Sequence, residues 1–376
     1  MSTLHQGARG RAAGSVAGRL YALSTVGSIL GTFASALVTI PLLGTQRTIL
    51  GTAAVVALAA TPLLPRPALA TAALLAAAVA LPSGGIKRTA GVLYEHESAY
   101  EYLRVVSYPG GERALQLNEG VADQSVWYPN SVLTGGYWDL FLLLPPLADR
   151  PVHRMLVIGD GGGTIPRAYA RFYPQVQTDG VELDPTVTEA GRRYLGLGDN
   201  PLLQTITADG RVYLARTQRR YDLIVIDAYR QPYIPFQLAT REFFQLVRAH
   251  LNPGGLVALN VAATPHDRRL TEAIGTTLAT SFPQVWRISA LRFNDIVIGF
   301  DLPRTRGGLL HRLATVGRTL RPLLPRVDRT LTQLVAKGTP WTDDRAPVEW
   351  VTDQMLAEQI ARGHGLDEDF LPTAPK

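Results

Sequence analysis

From residue 154 onward the chain repeats one unit: a short apolar run, a turn rich in glycine or acid, then a stretch of helical spacing. RMLVIG, QTDGVELD, YDLIVIDAY and GGLVALNV are the runs, each of strand length. Helical stretches lie around 164–173, 185–195, 239–251 and 266–281. Strands that alternate with helices are joined by crossovers, and crossovers build a parallel sheet covered on both faces. The predicted fold class is therefore α/β. Two last runs, VWRIS and NDIVIGF, predict an antiparallel hairpin at the edge of that sheet.

The N-terminal quarter is of another kind. Leu20 to Gly44 carries no charge and is long enough to cross a hydrocarbon core of about 30 Å as a helix. A second apolar, alanine-rich stretch covers Thr48–Pro65, and a shorter third one covers Pro67–Pro82. Pro62, Pro65, Arg66 and Pro67 mark a tight connection. Residues 1–86 are read as a membrane region with two or three helices. The first run exceeds the apolar segment of a cleaved signal peptide, and a second follows at once. Gly27, Gly31 and Ser35 recur every four residues, a spacing that permits close helix contact in lipid. Arg9, Arg11 and Arg19 before the spans, with Lys87 and Arg88 after them, favour a cytoplasmic side for both, which requires an even number of crossings. The expectation is a multi-pass protein of the cell membrane with a cytoplasmic C-terminal domain.

After Lys87 the composition is that of a soluble domain. Residues 91–118 alternate and carry aromatics, and SYPGGER supplies the residues of a hairpin turn. Residues 87–150 read as a small β-rich lead-in whose end, 131–147, looks helical. Residues 151–302 form the α/β domain and 303–376 a basic helical extension. Eight Lys or Arg stand against two Asp in residues 301–340, and Leu309, Leu313, Val316 and Leu320 recur at helical spacing. Such a helix suits packing on the sheet or contact with an anionic membrane surface. Nucleic acid is disfavoured, because no aromatic pattern accompanies the arginines.

The net charge is +6 and there is no cysteine, which excludes disulfides, a thiol nucleophile and thiolate metal sites. His96, His153 and His266 share no ligand spacing, and Asp343, Asp344 and Glu349 suit capping or pairing with Arg345, so no metal site is expected. In VIGDGGGTIP no lysine follows the glycines, as a triphosphate cradle requires. The spacing of Gly159, Gly161 and Gly163 is not that of the dinucleotide fingerprint either. The turn permits close backbone approach by a ligand without a diphosphate, and a nucleoside with a sulfonium tail fits. Glu182 lies 23 residues after Gly159, where a carboxylate can accept from ribose hydroxyls. Asp209, in TADGR, could accept from an adenine amino group or cap a helix. Asp227 ends the strand YDLIVID at the edge where ligands sit, placed to take a proton from an attacking amine or to orient it. Tyr229 and Tyr233 follow with two prolines, as an aromatic cover would.

Taken in order, MLVIGDGGG, VELDP, TADGRVYL, YDLIVIDAY and TREFFQLVRAHLNPGG resemble the spermidine synthase (polyamine aminopropyltransferase) family. ESAYEYLRVV, the apolar N-terminal run and PWTDDRAPVE extend the resemblance over most of the chain, toward the membrane-fused branch. It implies a Rossmann-like S-adenosylmethionine-binding sheet with a small N-terminal β-subdomain, preceded by transmembrane helices. It implies transfer of an aminopropyl group from decarboxylated S-adenosylmethionine to an amine acceptor at a membrane-anchored enzyme. The donor is then a co-substrate, and no tightly bound cofactor is expected. By position, Asp227 and Tyr137 would be catalytic. Gly159, Asp160, Gly161, Gly163, Glu182 and Asp209 would hold the donor, and Tyr229 and Arg230 would meet the acceptor. The partners implied are a small amine and the lipid bilayer, with a homo-oligomer left open.

The chain departs from that family at three points. Gly162 stands in the column of the loop aspartate, and Asp160 lies two residues earlier. Arg230 replaces a second acid, and Tyr137–Trp138–Asp139 replaces Tyr-His-Glu. Each change removes attraction for a polycation, and Arg230 facing the site would favour an acidic acceptor or a donor with a carboxylate. An S-adenosylmethionine-dependent methyltransferase and a non-catalytic nucleoside-binding membrane protein are the alternative readings.

Overall fold

The computed structural model describes residues 2–60, 73, 77, 90–118, 122–291 and 293–363, with side chains from residue 16 onward. Pro62, Pro65, Arg66, Pro67, Lys87 and Arg88, and with them nearly all of the third apolar stretch, lie outside the described residues.

The chain divides into two compact units, Met1–Ala90 with Glu95–Tyr102, and Gly91–Tyr94 with Leu103–Lys376. In the first, a helix runs Ser2–Ala34 and continues through a π-turn, Ser35–Thr39, into Ile40–Leu43. Pro41 cannot donate to the helical ladder, and the turn ahead of it widens. Val16–Leu43 is one helix long and apolar enough to cross a membrane. Its large side chains are exposed, Tyr21 by 81% and Leu23 by 70%. A second helix, Thr45–Ala60, follows. Its first amide, that of Thr45, is capped by the Glu97 carboxylate.

The lead-in strands β1 (Val92–Glu97), β2 (Tyr102–Ser107), β3 (Arg113–Leu117) and β4 (Asp123–Trp127) form a sheet in that order. β2 and β3 pair antiparallel with Ser107 opposite Arg113, so SYPGGER is the hairpin expected. The stretch 131–147 is less helical than its composition suggests. Only Trp138–Phe141 and a 3-10 turn at Pro145–Leu147 are helical. Pro145 and Pro146 break the ladder, and the Asp139 carboxylate is drawn back to the amides of Thr134 and Gly135.

The main sheet contains β5 (Arg154–Ile158), β6 (Gln177–Glu182), β7 (Leu203–Thr207), β8 (Tyr221–Ile226), β9 (Leu251–Ala262), β10 (Gln284–Leu291), β11 (Asn294–Phe300) and β12 (Thr332–Leu334). Its order is β12-β10-β11-β9-β8-β5-β6-β7. β5 to β9 are parallel, whereas β10, β11 and β12 are antiparallel, which makes a mixed Rossmann-like sheet. Helices Thr164–Phe172, Pro185–Tyr194, Arg241–Ala249 and Arg269–Leu278 fall within the four helical stretches read from the sequence. The hairpin β10–β11 is present, but it is not the sheet edge. β12, from the C-terminal extension, pairs with β10 outside it. Leu309, Leu313, Val316 and Leu320 are buried in the same apolar core as β5 and β8. Their helical spacing therefore reports packing on the sheet, and no apolar stripe of theirs is left for a membrane surface.

Candidate active site

The sheet order sets four acids side by side. Asp227 follows β8, Asp160 follows β5, Glu182 ends β6 and Asp209 follows β7, and these are neighbouring strands. All four lie at the carboxyl edge, and the order reverses between β5 and β8, where open α/β sheets take their ligands.

The glycine loop is shaped by its neighbours. Gly159, Gly161 and Gly163 have φ of 83°, 55° and 85°. A Cβ on Gly159 would lie 2.5 Å from Ala228 Cα and 2.6 Å from the Asp227 carbonyl oxygen. Glycine is needed there because two strand ends close on each other. The loop amides are all engaged. Gly159 and Asp160 donate to the Val181 carbonyl, Gly161 to Glu182 Oε2, Gly162 to Ser125 Oγ and Gly163 to the Asp160 carbonyl. A phosphate needs such amides free. This loop offers none from Gly159 to Gly163, in keeping with the missing lysine.

Asp160 is 6% exposed, and its carboxylate packs over Gly180 of β6, where a Cβ would meet it at 2.4 Å. Its Oδ1 has no hydrogen-bond partner among the described residues. Burial, and then the neighbouring Glu182, hold its pKa well above the ordinary carboxylate value. Glu182 accepts from the amides of Gly161 at 2.9 Å and Asp184 at 3.1 Å, while burial pushes its pKa up. These bonds leave acceptor capacity on a carboxylate, which offers about four lone-pair sites. Asp209 is the N-cap of Gly210–Arg216, and both its amide bonds, from Arg211 and Val212, fall on Oδ1. Capping is thus realised, with Oδ2 outside those bonds. The remaining oxygens of Glu182 and Asp209 suit the hydroxyls and amino group of a nucleoside.

Asp227 is held differently. Tyr137 Oη lies 3.2 Å and 3.1 Å from its two carboxylate oxygens and donates to them, and Asn260 Nδ2 donates to Oδ1 at 2.8 Å. The neighbouring Trp138 side chain also favours the charged form. Asn260 is oriented in turn by Asn294 Nδ2, 2.9 Å from its Oδ1. Burial nevertheless dominates these donors and pushes the Asp227 pKa up to about 7. Tyr137 is pushed well above its ordinary value by burial and by Asp227, so it stays protonated and donates.

A cavity of about 250 Å³ opens beside this group. Tyr137, Trp138, Tyr229, Asn260 and Asn294 line it, together with Asp123 and Gln124 of β4 and Thr352, Met355 and Leu356 of the C-terminal helix Val348–Ala361. Tyr229 Oη donates to the Asn260 carbonyl. Arg230 is exposed, bridges Tyr233 through the backbone and is absent from the cavity lining. The argument that Arg230 calls for an acidic acceptor therefore loses its footing. Asp343 pairs not with Arg345 but with Arg211, at 2.6 Å, and accepts from Thr240. Among the described residues no cluster of His, Cys, Asp or Glu could hold a metal ion.

Sequence reading missed Asn260, Asn294, Ser125 and Asp123. Asn260 left a signal, an amide within the apolar run GGLVALNV, since a buried amide needs a partner. Ser125 and Asp123 left none, because their role depends on how the lead-in sheet meets the main one.

The Spermine/spermidine synthase domain family matches residues 139–291. A probable polyamine aminopropyl transferase of Bifidobacterium longum is 38% identical over 191 residues, 50% of this chain and 42% of that protein. A polyamine aminopropyltransferase of Vibrio vulnificus is 31% identical over 179 residues, 46% of this chain and 56% of that protein. The chain thus spans about half the length of these curated relatives. The crystal structure of a probable spermidine synthase from Corynebacterium glutamicum superposes with a TM-score of 0.51 at 18% identity, over 67% of this chain and 98% of that one. At that identity the likeness is one of fold.

Proposed function

We propose that this chain, which belongs to the spermidine synthase family, transfers an aminopropyl group from decarboxylated S-adenosylmethionine to an amine at a membrane-anchored site. The observation that carries the reading is the Asp227 carboxylate, half-buried just after β8 and held by Tyr137 and Asn260, two residues that line a small cavity. An amine that arrives as an ammonium must lose a proton before it can attack. A carboxylate whose pKa is raised to about 7 is matched to that task near neutral pH. Asp227 takes the proton and orients the nitrogen. The nitrogen lone pair then bonds to the carbon beside the sulfonium, the carbon–sulfur bond breaks with its electrons going to sulfur, and neutral methylthioadenosine leaves. The positive charge passes to the new secondary amine. Glu182 and Asp209 hold the nucleoside, and the protonated Tyr137 keeps the Asp227 carboxylate turned toward the acceptor.

Val16–Leu43 supports membrane anchoring, since its exposed apolar surface needs a covering of lipid or protein. The multi-pass topology with a cytoplasmic catalytic domain rests on the second apolar stretch and the flanking basic residues. One observation favours the second reading, methyl transfer. Asp160 is turned under the loop, so the loop shows no acid to the amine of a decarboxylated donor. The test is to incubate the full chain with an amine and, separately, with each donor, and to separate the nucleoside products. Methylthioadenosine supports aminopropyl transfer. S-adenosylhomocysteine, formed from the intact donor alone, replaces it with methyl transfer.

A further inference from the structure

The helix that Asp209 caps is weakly rooted. Gly210–Arg216 has seven residues, and Leu214 is its one buried residue. A helix this short is marginal without tertiary contacts. Its middle is held by the Tyr213 hydroxyl, 2.8 Å from that of Tyr221. Its first turn is held from outside. The Arg211 amide donates to Asp209 Oδ1. The Arg211 guanidinium forks onto Asp343, Nη1 to Oδ1 at 2.7 Å and Nη2 to Oδ2 at 2.6 Å. Nη1 also donates to the Gln237 carbonyl at 3.1 Å. The turn has little slack on its inner side. A Cβ on Gly210 would lie 2.3 Å from Cγ2 of Ile158, the last residue of β5 before the glycine loop.

Asp343 is itself firmly placed. Trp341 is buried in the apolar core that holds Tyr221 and Ile224 of β8. Its amide donates to Thr277 Oγ1, and its carbonyl accepts from the Arg241 amide. Thr342 and Arg345 then close a tight turn with two backbone hydrogen bonds, and Asp343 stands in that turn. Its amide donates to Glu242 Oε2 at 3.1 Å, and its Oδ1 accepts from the buried Thr240 hydroxyl at 2.7 Å. The Arg211 and Asp343 side chains are 26% and 43% exposed, and ion pairs so near water add little stability. What a two-point fork supplies is direction. Asp343 lies beyond residues 139–291, and no step of the proposed reaction uses it. We propose that Asp343 is a positioning residue for the donor. Through Arg211 it fixes the turn Asp209–Gly210–Arg211 and keeps Asp209 Oδ2 in place for the adenine amino group. This rests on the nucleoside reading of Asp209 and is independent of which group is transferred.

The test is calorimetric titration of the full chain with methylthioadenosine, for the wild type, Asp343→Asn, Asp209→Asn and the double variant. Asp343→Asn should weaken binding about three- to tenfold, the worth of one hydrogen bond held out of place. Asp209→Asn should weaken it at least as much, and the double variant no further than Asp209→Asn alone. Losses that multiply in the double variant overturn the proposal, because Asp343 would then act apart from Asp209. Wild-type affinity in Asp343→Asn overturns it as well. Arg211→Met removes the other half of the fork and should match Asp343→Asn; wild-type affinity there rules the relay out. In turnover, Asp343→Asn should raise the donor KM by the same factor and leave kcat and the amine KM unchanged. A fall in kcat at unchanged donor KM points to general loosening and defeats the proposal. The reading beneath it fails separately: if Asp209→Asn binds methylthioadenosine like the wild type, Asp209 does not hold the nucleoside and there is nothing for Asp343 to position. Binding that depends on Asp343 and Asp209 together, with only S-adenosylhomocysteine formed, keeps this inference and replaces aminopropyl with methyl transfer.

Discussion

The acids beneath and beside the glycine loop and the acids at the cavity differ in who binds them. Glu182 and Asp209 receive backbone amides, and Asp160 is folded under the loop against Gly180. Asp227 and Asp123 receive side chains, namely Tyr137 and Asn260 for one, Gln116 and Tyr108 for the other. Backbone amides are fixed once the strand and helix ends are fixed, so an acid bonded to them is part of the scaffold as well as of any ligand site. Side-chain donors need a second layer of support, and Asn294 behind Asn260 and Arg104 behind Gln116 supply it. That layered support is what separates these two carboxylates from the acids bonded to backbone amides.

Asp227→Asn should break the comparison most sharply. The amide keeps the shape but accepts no proton, and kcat should fall about 10²–10⁴-fold with nucleoside affinity nearly intact, as turnover and calorimetry would show. An equal loss of nucleoside binding would put Asp227 with the scaffold acids. Its pH dependence carries a definite sign. The carboxyl is protonated below about 7, so kcat/KM should drop about tenfold per unit on the acid side of that value and level off above it. The same shift acts on stability in the opposite sense. The folded pKa lies above the ordinary 3.8, so the stabilising contribution is complete below that value and is lost as pH rises to about 7. Asp227→Asn should therefore raise Tm relative to the wild type more at pH 8 than at pH 5.

Tyr137→Phe comes next. It removes the hydroxyl within 3.2 Å of both Asp227 oxygens and should slow turnover by about tenfold, one hydrogen bond to a charged group. In the scaffold, Gly159→Ala forces a Cβ to within 2.6 Å of the chain after β8 at a φ of 83°. Denaturant unfolding should show a cost of about 1–3 kcal/mol. Asp160→Asn should do least, under about 1 kcal/mol in stability and little in rate, because its carboxyl is already held toward the neutral form. A large rise in donor KM in that variant would show that Asp160 meets the donor and would dissolve the contrast between the two groups of acids.

Much of this site was legible in the residues. Asp227, Glu182 and the glycine loop stand at strand ends, and apolar runs announce strand ends. Asp227 was named from its strand end and Tyr137 from the family resemblance, and the fold brings them within hydrogen-bond reach across 90 residues. Arg230 was read toward the site because it stands in the column of the family's second acid. The backbone bridge between Arg230 and Tyr233 reverses the chain there, and such a reversal depends on local turn geometry that charge patterns do not report. The hairpin taken for a sheet edge was covered by β12, a strand of three residues too short to show a period.

The sequence alone determined the parallel core, its helices, the apolar N-terminal helix and the exclusion of a phosphate cradle. Those follow from local periodicity and from residue types a short loop must contain. The tertiary structure decided which acids face a cavity, which serve backbone amides, and that Asp123 of the lead-in sheet reaches the wall shared with Tyr137 and Asn260. Those are matters of which distant strands close on one another. Strand spacing along the chain does not encode them, because they depend on the packing of side chains from separate sheets.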